Sequence, residues 1–227
     1  FLNEFPTSPY AEKVSSYLVE VYMNTRSYDA ALKSIDRIAK PSAQILEAKQ
    51  KILFQLGTQS FANADFEQAL KYLNQSIAIG QYNRQTKADA YYWCGESYYR
   101  LNRMVEAARD FNAYLQLTTQ PNNEMYALAN YNLGYIAFHR KDYTQASNYF
   151  QKYIQLEKGE NATALADAYN RIGDCHLHVR NFEEAKQYYS QAEQMNTSSG
   201  DYSFYQLALV SGLQKDYTGK ITLLDRL

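Results

Sequence analysis

Apolar positions along this chain recur at intervals of three and four residues, and runs in which apolar and polar residues alternate are almost absent. In "YYWCGESYYR", residues 91–100, Tyr91, Cys94, Gly95 and Tyr98 fall at i, i+3, i+4 and i+7, the spacing of one face of an α-helix. After the short polar turn "LNRM" a second periodic stretch carries Ala107, Phe111 and Tyr114 on one stripe. The pattern predicts two helices, A and B, folded back on each other as a hairpin.

The hairpin recurs. Residues 130–154, "NYNLGYIAFHRKDYTQASNYFQKYI", and 169–193, "YNRIGDCHLHVRNFEEAKQYYSQAE", align with residues 91–115 and place Gly134 and Gly173 where Gly95 stands. Weaker copies put Gly57 ahead of "FEQALKYLNQSI", Val19 ahead of "YDAALKSIDRI" and Ala208 ahead of "YTGKITLLDRL". These anchors, at 19, 57, 95, 134, 173 and 208, are 38, 38, 39, 39 and 35 residues apart, which makes a repeat array of six copies. Twelve or so helices and no sheet are expected. Glycine costs about 1 kcal/mol relative to alanine inside a helix, so four at one repeat position require a packing reason. The expectation is a close approach of the two helices, with the glycine of helix A facing the alanine of helix B.

These residues resemble the tetratricopeptide repeat (TPR) family, whose pattern is an aromatic, a leucine, a small residue and a tyrosine on helix A, then alanine, phenylalanine and a trailing proline. Tyr169, Ile172, Gly173, Ala185 and Tyr189 fit it well, whereas Trp93 stands two places past the tryptophan position, which Tyr91 holds, and His176 replaces the tyrosine of the fifth copy. The resemblance implies an all-α fold, a right-handed α-solenoid of TPR-like helical hairpins running through residues 1–227 as a single array. The period exceeds the family's usual value of about 34, with the excess in "LTTQPNNEMYA" and "LEKGENATALA", so longer helices or connectors are expected. The opening "FLNEFPTSPYAEKV", with Ser8 as N-cap and Pro9 in the first turn, is similar to bacterial cell-envelope TPR proteins, including lipoproteins of outer-membrane protein assembly and coordinators of envelope constriction. That similarity implies a periplasmic or outer-membrane-associated location. At the other end "GKITLLDRL" stops on an apolar helix without the polar cap a solenoid needs, and the expectation is a segment of a longer array.

Composition narrows the partners. A net charge of -1 provides no basic footprint for a nucleic acid, and no apolar run approaches the roughly 18 residues of a membrane span. Cys94 and Cys175 sit among apolar neighbours on helical stretches and are expected to be packed thiols, not bonded to each other. "CHLHV", residues 175–179, offers Cys175, His176 and His178, but neighbours at i, i+1 and i+3 of a helix diverge, so no metal and no cofactor is expected. The glycines are isolated within helices rather than clustered after a strand, and Glu96 and Asp174 have no spacing that suggests acid–base work. No enzyme is expected.

What remains is surface recognition. Residues just after the core positions of helix A are rotated by about 100° from the packed face and in a stacked array line its inner, concave wall. They are Ser16, Glu20 and Met23 in the first copy, Phe54, Thr58 and Phe61 in the second, and Tyr92, Glu96 and Tyr99 in the third. Tyr131, Tyr135 and Phe138 follow in the fourth, Asn170, Asp174 and Leu177 in the fifth, and Tyr205 and Leu209 in the last. Tyr91, Tyr98, Phe111 and Tyr114 are instead expected in the core. Rigid exposed aromatics supply contact area at low entropic cost. The wall is mostly aromatic or acidic, so it suits a peptide with apolar or basic side chains better than a terminal carboxylate. The expected function is a non-enzymatic protein- or peptide-binding scaffold; the alternative is a structural spacer whose groove holds no specific ligand.

Overall fold

The structure, a computed structural model, describes residues 4–5, 7–38, 40–157, 161–195, 197 and 200–226, with the backbone alone at Tyr22 and Met23. The expected wall position of Met23 and the envelope-like residues Phe1, Leu2, Asn3 and Pro6 therefore lie outside the described residues. Among those described there are twelve α-helices and no strand. They fall into two compact units, Phe1–Thr119 and Gln120–Leu227. The first holds α1 (Ala11–Asn24), α2 (Tyr28–Ile35), α3 (Ala43–Ala62), α4 (Phe66–Ala78), α5 (Arg84–Arg100) and α6 (Met104–Leu117). The second holds α7 (Glu124–His139), α8 (Tyr143–Leu156), α9 (Ala162–His178), α10 (Phe182–Gln194), α11 (Gly200–Leu213) and α12 (Tyr217–Leu224). Odd-numbered helices are the A helices and even-numbered ones the B helices. Ser8 does not cap α1 as expected: the helix starts three residues later, and Ser8 Oγ accepts from the Tyr10 N–H at 3.3 Å in the turn before it.

Every hairpin turns in the same way. Arg26, Ala64, Asn102, Lys141, Arg180 and Lys215 have φ between 55° and 66°, and each lies seven residues beyond its anchor. In the last five hairpins the next residue returns its N–H to the last turn of helix A, as from Arg103 to Tyr98 O at 2.8 Å and from Asp142 to Ala137 O at 3.0 Å. This is the Schellman arrangement, which satisfies carbonyls that a helix end otherwise leaves open. Helix B then starts under a cap where an aspartate is available: the carboxylates of Asp65, Asp142 and Asp216 accept from Gln68, Gln145 and Gly219 N–H.

The packing reason for the glycines differs from the one expected. Gly57, Gly95, Gly134 and Gly173 face Leu73, Phe111, Phe150 and Tyr189, sixteen residues on in every case. A Cβ on Gly134 would lie 2.8 Å from the Phe150 ring, and one on Gly173 would lie 2.6 Å from the Tyr189 ring. The alanines Ala69, Ala107, Ala146 and Ala185 are fully buried one turn earlier on helix B. The correction follows from bulk. The small alanine lets the helices close, and the large side chain four residues on then covers the bare glycine backbone, so the joint is ring against glycine.

The last hairpin breaks this rule. Lys220 stands where the other copies have the buried alanine, Leu224 is 39% exposed where Phe150 and Tyr189 are fully buried, and α12 has no buried residue. Burying an ammonium in that joint is unfavourable, and α11 and α12 leave between them and α10 an open cleft lined by Lys186, Leu207, Thr218 and Leu223.

Candidate functional site

In the first unit the wall of α3 and α5 is closed mainly by aromatic packing. Phe61 stands edge-on to Phe66 at 5.3 Å and to Trp93 at 4.9 Å, and Phe54 is half-buried. Tyr92 is only 4% exposed, with ring contacts to Trp93, Phe111 and Tyr114 at 5.4 to 5.8 Å. Its expected place on an open wall is thus corrected: Tyr92 is core, and Tyr91, expected in the core, is half-buried. The reason is that the large Phe111 and Tyr114 rings of α6 reach Tyr92, so a side chain turned about 100° from the glycine joint still meets helix B. Glu96 and Tyr99 are half-buried, and burial followed by the Glu96 charge raises the Tyr99 hydroxyl above its ordinary pKa. A tie that sequence reasoning missed comes from Gln50 of α3. Its buried amide exchanges two hydrogen bonds with the backbone of Asn83, at 2.8 and 3.0 Å, and fixes the start of α5.

The second unit solves the same wall with a polar network. Tyr131 and Tyr135 of α7 pack edge-on to each other at 5.2 Å and lean on Phe150 and Tyr153 of α8. Both rings are half-buried, and both hydroxyls donate to Oδ2 of Asp167 on α9, at 2.7 Å from Tyr131. One turn on, Arg171 reaches between two carboxylates, with Nη1 at 2.7 Å from Asp174 Oδ2 and Nε at 3.5 Å from Asp167 Oδ1. Asp174 Oδ1 also accepts from Tyr189 of α10 and Tyr202 of α11, each at 2.7 Å, and the Arg171 guanidinium lies over the Tyr202 ring at 4.9 Å. The contact of Arg171 with Asp174 Oδ2 is close but lacks the alignment of a hydrogen bond: Oδ2 and Arg171 Nε are buried with no hydrogen-bond partner.

The electrostatics follow from this crowding. Burial raises Asp174 above the ordinary carboxylate value, with Arg171, Tyr189 and Tyr202 acting in the opposite direction. Tyr202 is pushed up to about 12 by burial and then by the Asp174 charge, and burial beside the same or the neighbouring carboxylate raises Tyr131, Tyr135 and Tyr189 as well. All four phenols therefore stay protonated donors through the physiological range. Within α8 and its C-cap, Tyr153 donates to Glu157 at 3.2 Å.

Tetratricopeptide-repeat family models match residues 54–124 and 125–198, which together exceed half of the chain. The chain belongs to the tetratricopeptide-repeat family. Among solved structures, MamA matches with a TM-score of 0.61 at 16% identity over 75% of this chain and 91% of its own. YrrB, described as a TPR protein with an unusual peptide-binding site, matches with a TM-score of 0.64 at 17% identity over 77% and 82%. BtubC from P. vanneervenii matches with a TM-score of 0.62 at 17% identity over 95% and 87%. At these identities the likeness is one of fold. No curated protein matches the chain.

Within this TPR fold the expected wall residues meet different fates. Phe54, Phe61, Glu96, Tyr99, Tyr131, Tyr135 and Phe138 are half-buried on A helices. Asn170 and Asp174 are buried, which corrects their expected exposure: Asn170 Oδ1 accepts from Ser203 of α11 at 2.9 Å, and Asp174 is enclosed by Tyr189 and Tyr202. Phe138 packs on Tyr143 and on His178, whose ring stacks on Tyr143 at 4.3 Å. Cys175 is buried and free, with its thiol raised to about 12 by burial, and Cys94 is likewise buried and free. His176 instead stacks on Tyr188. Among the described residues no group of three His, Cys, Asp or Glu side chains is placed to hold a metal, and no helix is long and apolar enough to cross a membrane. Sequence reasoning missed Asp167, Arg171 and Tyr202. The first two share a signal with Asp174: at i, i+4 and i+7 they form one charged stripe along α9.

Proposed function

We propose that this TPR chain is a protein- or peptide-binding scaffold, and that the A-helix wall of the second unit is a contact surface. The observation that carries the reading is the half-exposed pair Tyr131 and Tyr135, held rigid by ring packing on Phe150 and by hydrogen bonds to Asp167. Aromatic side chains that are fixed before binding lose little entropy on contact. The peptide-binding site named for the structurally similar YrrB fits the same reading. The cell envelope is the proposed setting, on the similarity of residues 1–14 to envelope TPR proteins, and fractionation of the native source with an antibody to the chain tests that part.

The binding surface is tested with a displayed library of random peptides. The parent chain should select a family of related peptides, and Tyr135→Ala with Phe138→Ala should abolish their capture while leaving the helical content unchanged. Selection of no peptide by the parent chain would favour the spacer reading, and undiminished capture by the double variant would place the contact surface elsewhere.

A further inference from the structure

The network of the second unit contains two carboxylates and one guanidinium. Arg171 is committed to Asp174 at 2.7 Å and covered by Tyr202, whereas its approach to Asp167 is a loose 3.5 Å. Asp174 is closed off by two phenols. Asp167 is not: its side chain is 25% exposed, its Oδ2 accepts both tyrosine hydroxyls, and its Oδ1 accepts no hydrogen bond among the described residues. The remaining negative charge is therefore presented at Asp167, between the half-exposed rings of Tyr131 and Tyr135. A second observation shows that the network is not fully paired: Arg171 Nε is buried without a hydrogen bond. Asp174, nine-tenths buried, keeps Oδ2 without a hydrogen bond.

We infer that Asp167, framed by Tyr131 and Tyr135, is the receiving group for a lysine or arginine side chain of a bound peptide. Charge complementarity selects this occupant. An acidic side chain would meet two carboxylates with the Arg171 guanidinium already engaged by Asp174, and an apolar one would leave the Asp167 charge desolvated without a new partner. A cation gains a charge-assisted hydrogen bond to Oδ1 and contact with two electron-rich rings. The hydroxyls of Tyr131 and Tyr135 hold the carboxylate in place beforehand, so no reorientation of Asp167 accompanies binding. This inference rests on the proposed peptide-binding role and adds to it the chemistry of one side chain.

The test uses end-blocked pentapeptides that alternate alanine with lysine, with norleucine or with glutamate, and a free diamine, each titrated into the full chain while the tyrosine ring signals are followed by NMR. The lysine peptide should shift the Tyr131 and Tyr135 signals saturably and weaken as salt is added, and Asp167→Asn should lower its affinity by on the order of tenfold, the effect of losing one charged hydrogen bond. A melting curve of Asp167→Asn, matched to the parent, establishes that the variant is folded. Equal binding of the lysine and glutamate peptides, or unchanged affinity in Asp167→Asn, would overturn the inference. Diamine binding as tight as the peptide's would overturn the peptide as source of the cation. If the norleucine peptide binds best and is indifferent to Asp167→Asn, the cation site fails while the peptide-binding wall stands; if no peptide perturbs either ring, both fail.

Discussion

Tyr92 of the first unit and Tyr131 of the second occupy the same place in their repeats, three residues before the glycine of helix A. Tyr92 is sealed among Trp93, Phe111 and Tyr114. Tyr131 keeps a half-exposed face and ends on the carboxylate of Asp167. One residue type at one repeat position has thus become core in one unit and part of a candidate site in the other. Both rings meet the equivalent pair on helix B, Phe111 and Tyr114 or Phe150 and Tyr153; the difference is that Trp93 also packs on Tyr92, whereas a carboxylate from α9 stands beside the hydroxyl of Tyr131. A repeat position determines direction, whereas the neighbour found in that direction determines the role.

If that contrast is right, truncating the two tyrosines should separate them sharply. Tyr92→Ala should cost about 3–5 kcal/mol, as for other fully buried aromatics cut to alanine. Tyr131→Ala should cost roughly 1–2 kcal/mol, in keeping with partial burial. Denaturant midpoints of the two variants measure this, and equal losses would erase the distinction between the units.

The joint that both units share should respond next most strongly. Gly134→Leu drives a Cβ to 2.8 Å from the Phe150 ring, so overpacking should remove about 1–3 kcal/mol despite the helix propensity gained. Gly95→Leu in the first unit meets Phe111 at the same distance and should lose a similar amount. A loss in one unit only would mean that the ring-against-glycine joint is not common to both.

The pH dependence comes from buried aspartates and has the same sign in each unit. Asp110 and Asp174 both have pKa values raised by burial above the ordinary 3.8. The folded state then holds the proton more tightly than the unfolded state, so stability falls as pH rises from 3.8 through the raised value and levels off above it. Asp110→Asn and Asp174→Asn should each flatten that slope. Chemical denaturation from about pH 3.5 to 7 reads it, and a slope that steepens in either variant would contradict the burial-driven shift. The sharper comparison is between partners: each aspartate has an arginine beside it and a buried Oδ2 with no hydrogen bond, but Asp174 alone of the two also accepts from two tyrosines.

The smallest effect is expected at the turns. Lys141 adopts φ 61° without being glycine, and Lys141→Gly should stabilise the second unit by about 0.5–1 kcal/mol. Asn102→Gly in the first unit should gain only a few tenths of a kcal/mol, since asparagine already tolerates the left-handed region. A thermal melt resolves the ordering, and a larger gain at Asn102 would argue that the turns are not equivalent.

The hairpins, their period and their turns can be read from local order, because a helix sets each side chain's direction every 100° and a repeat restates that direction every 35 to 39 residues. Gly95, Gly134 and Gly173 signalled a close approach for that reason, although which residue approaches depended on the bulk of Phe111, Phe150 and Tyr189 on the other helix. Exposure could not be read in the same way. Periodicity turned Tyr92, Asn170 and Asp174 away from the A–B joint, but Tyr114 of the paired helix B covers Tyr92, and Ser203 and Tyr202 of α11 cover Asn170 and Asp174. Asp167 looked like any solvated carboxylate until α7 delivered two phenols to it from more than thirty residues away. Direction is a property of one helix and so is written locally; burial and charge balance are properties of several helices at once, and only their packing could decide them.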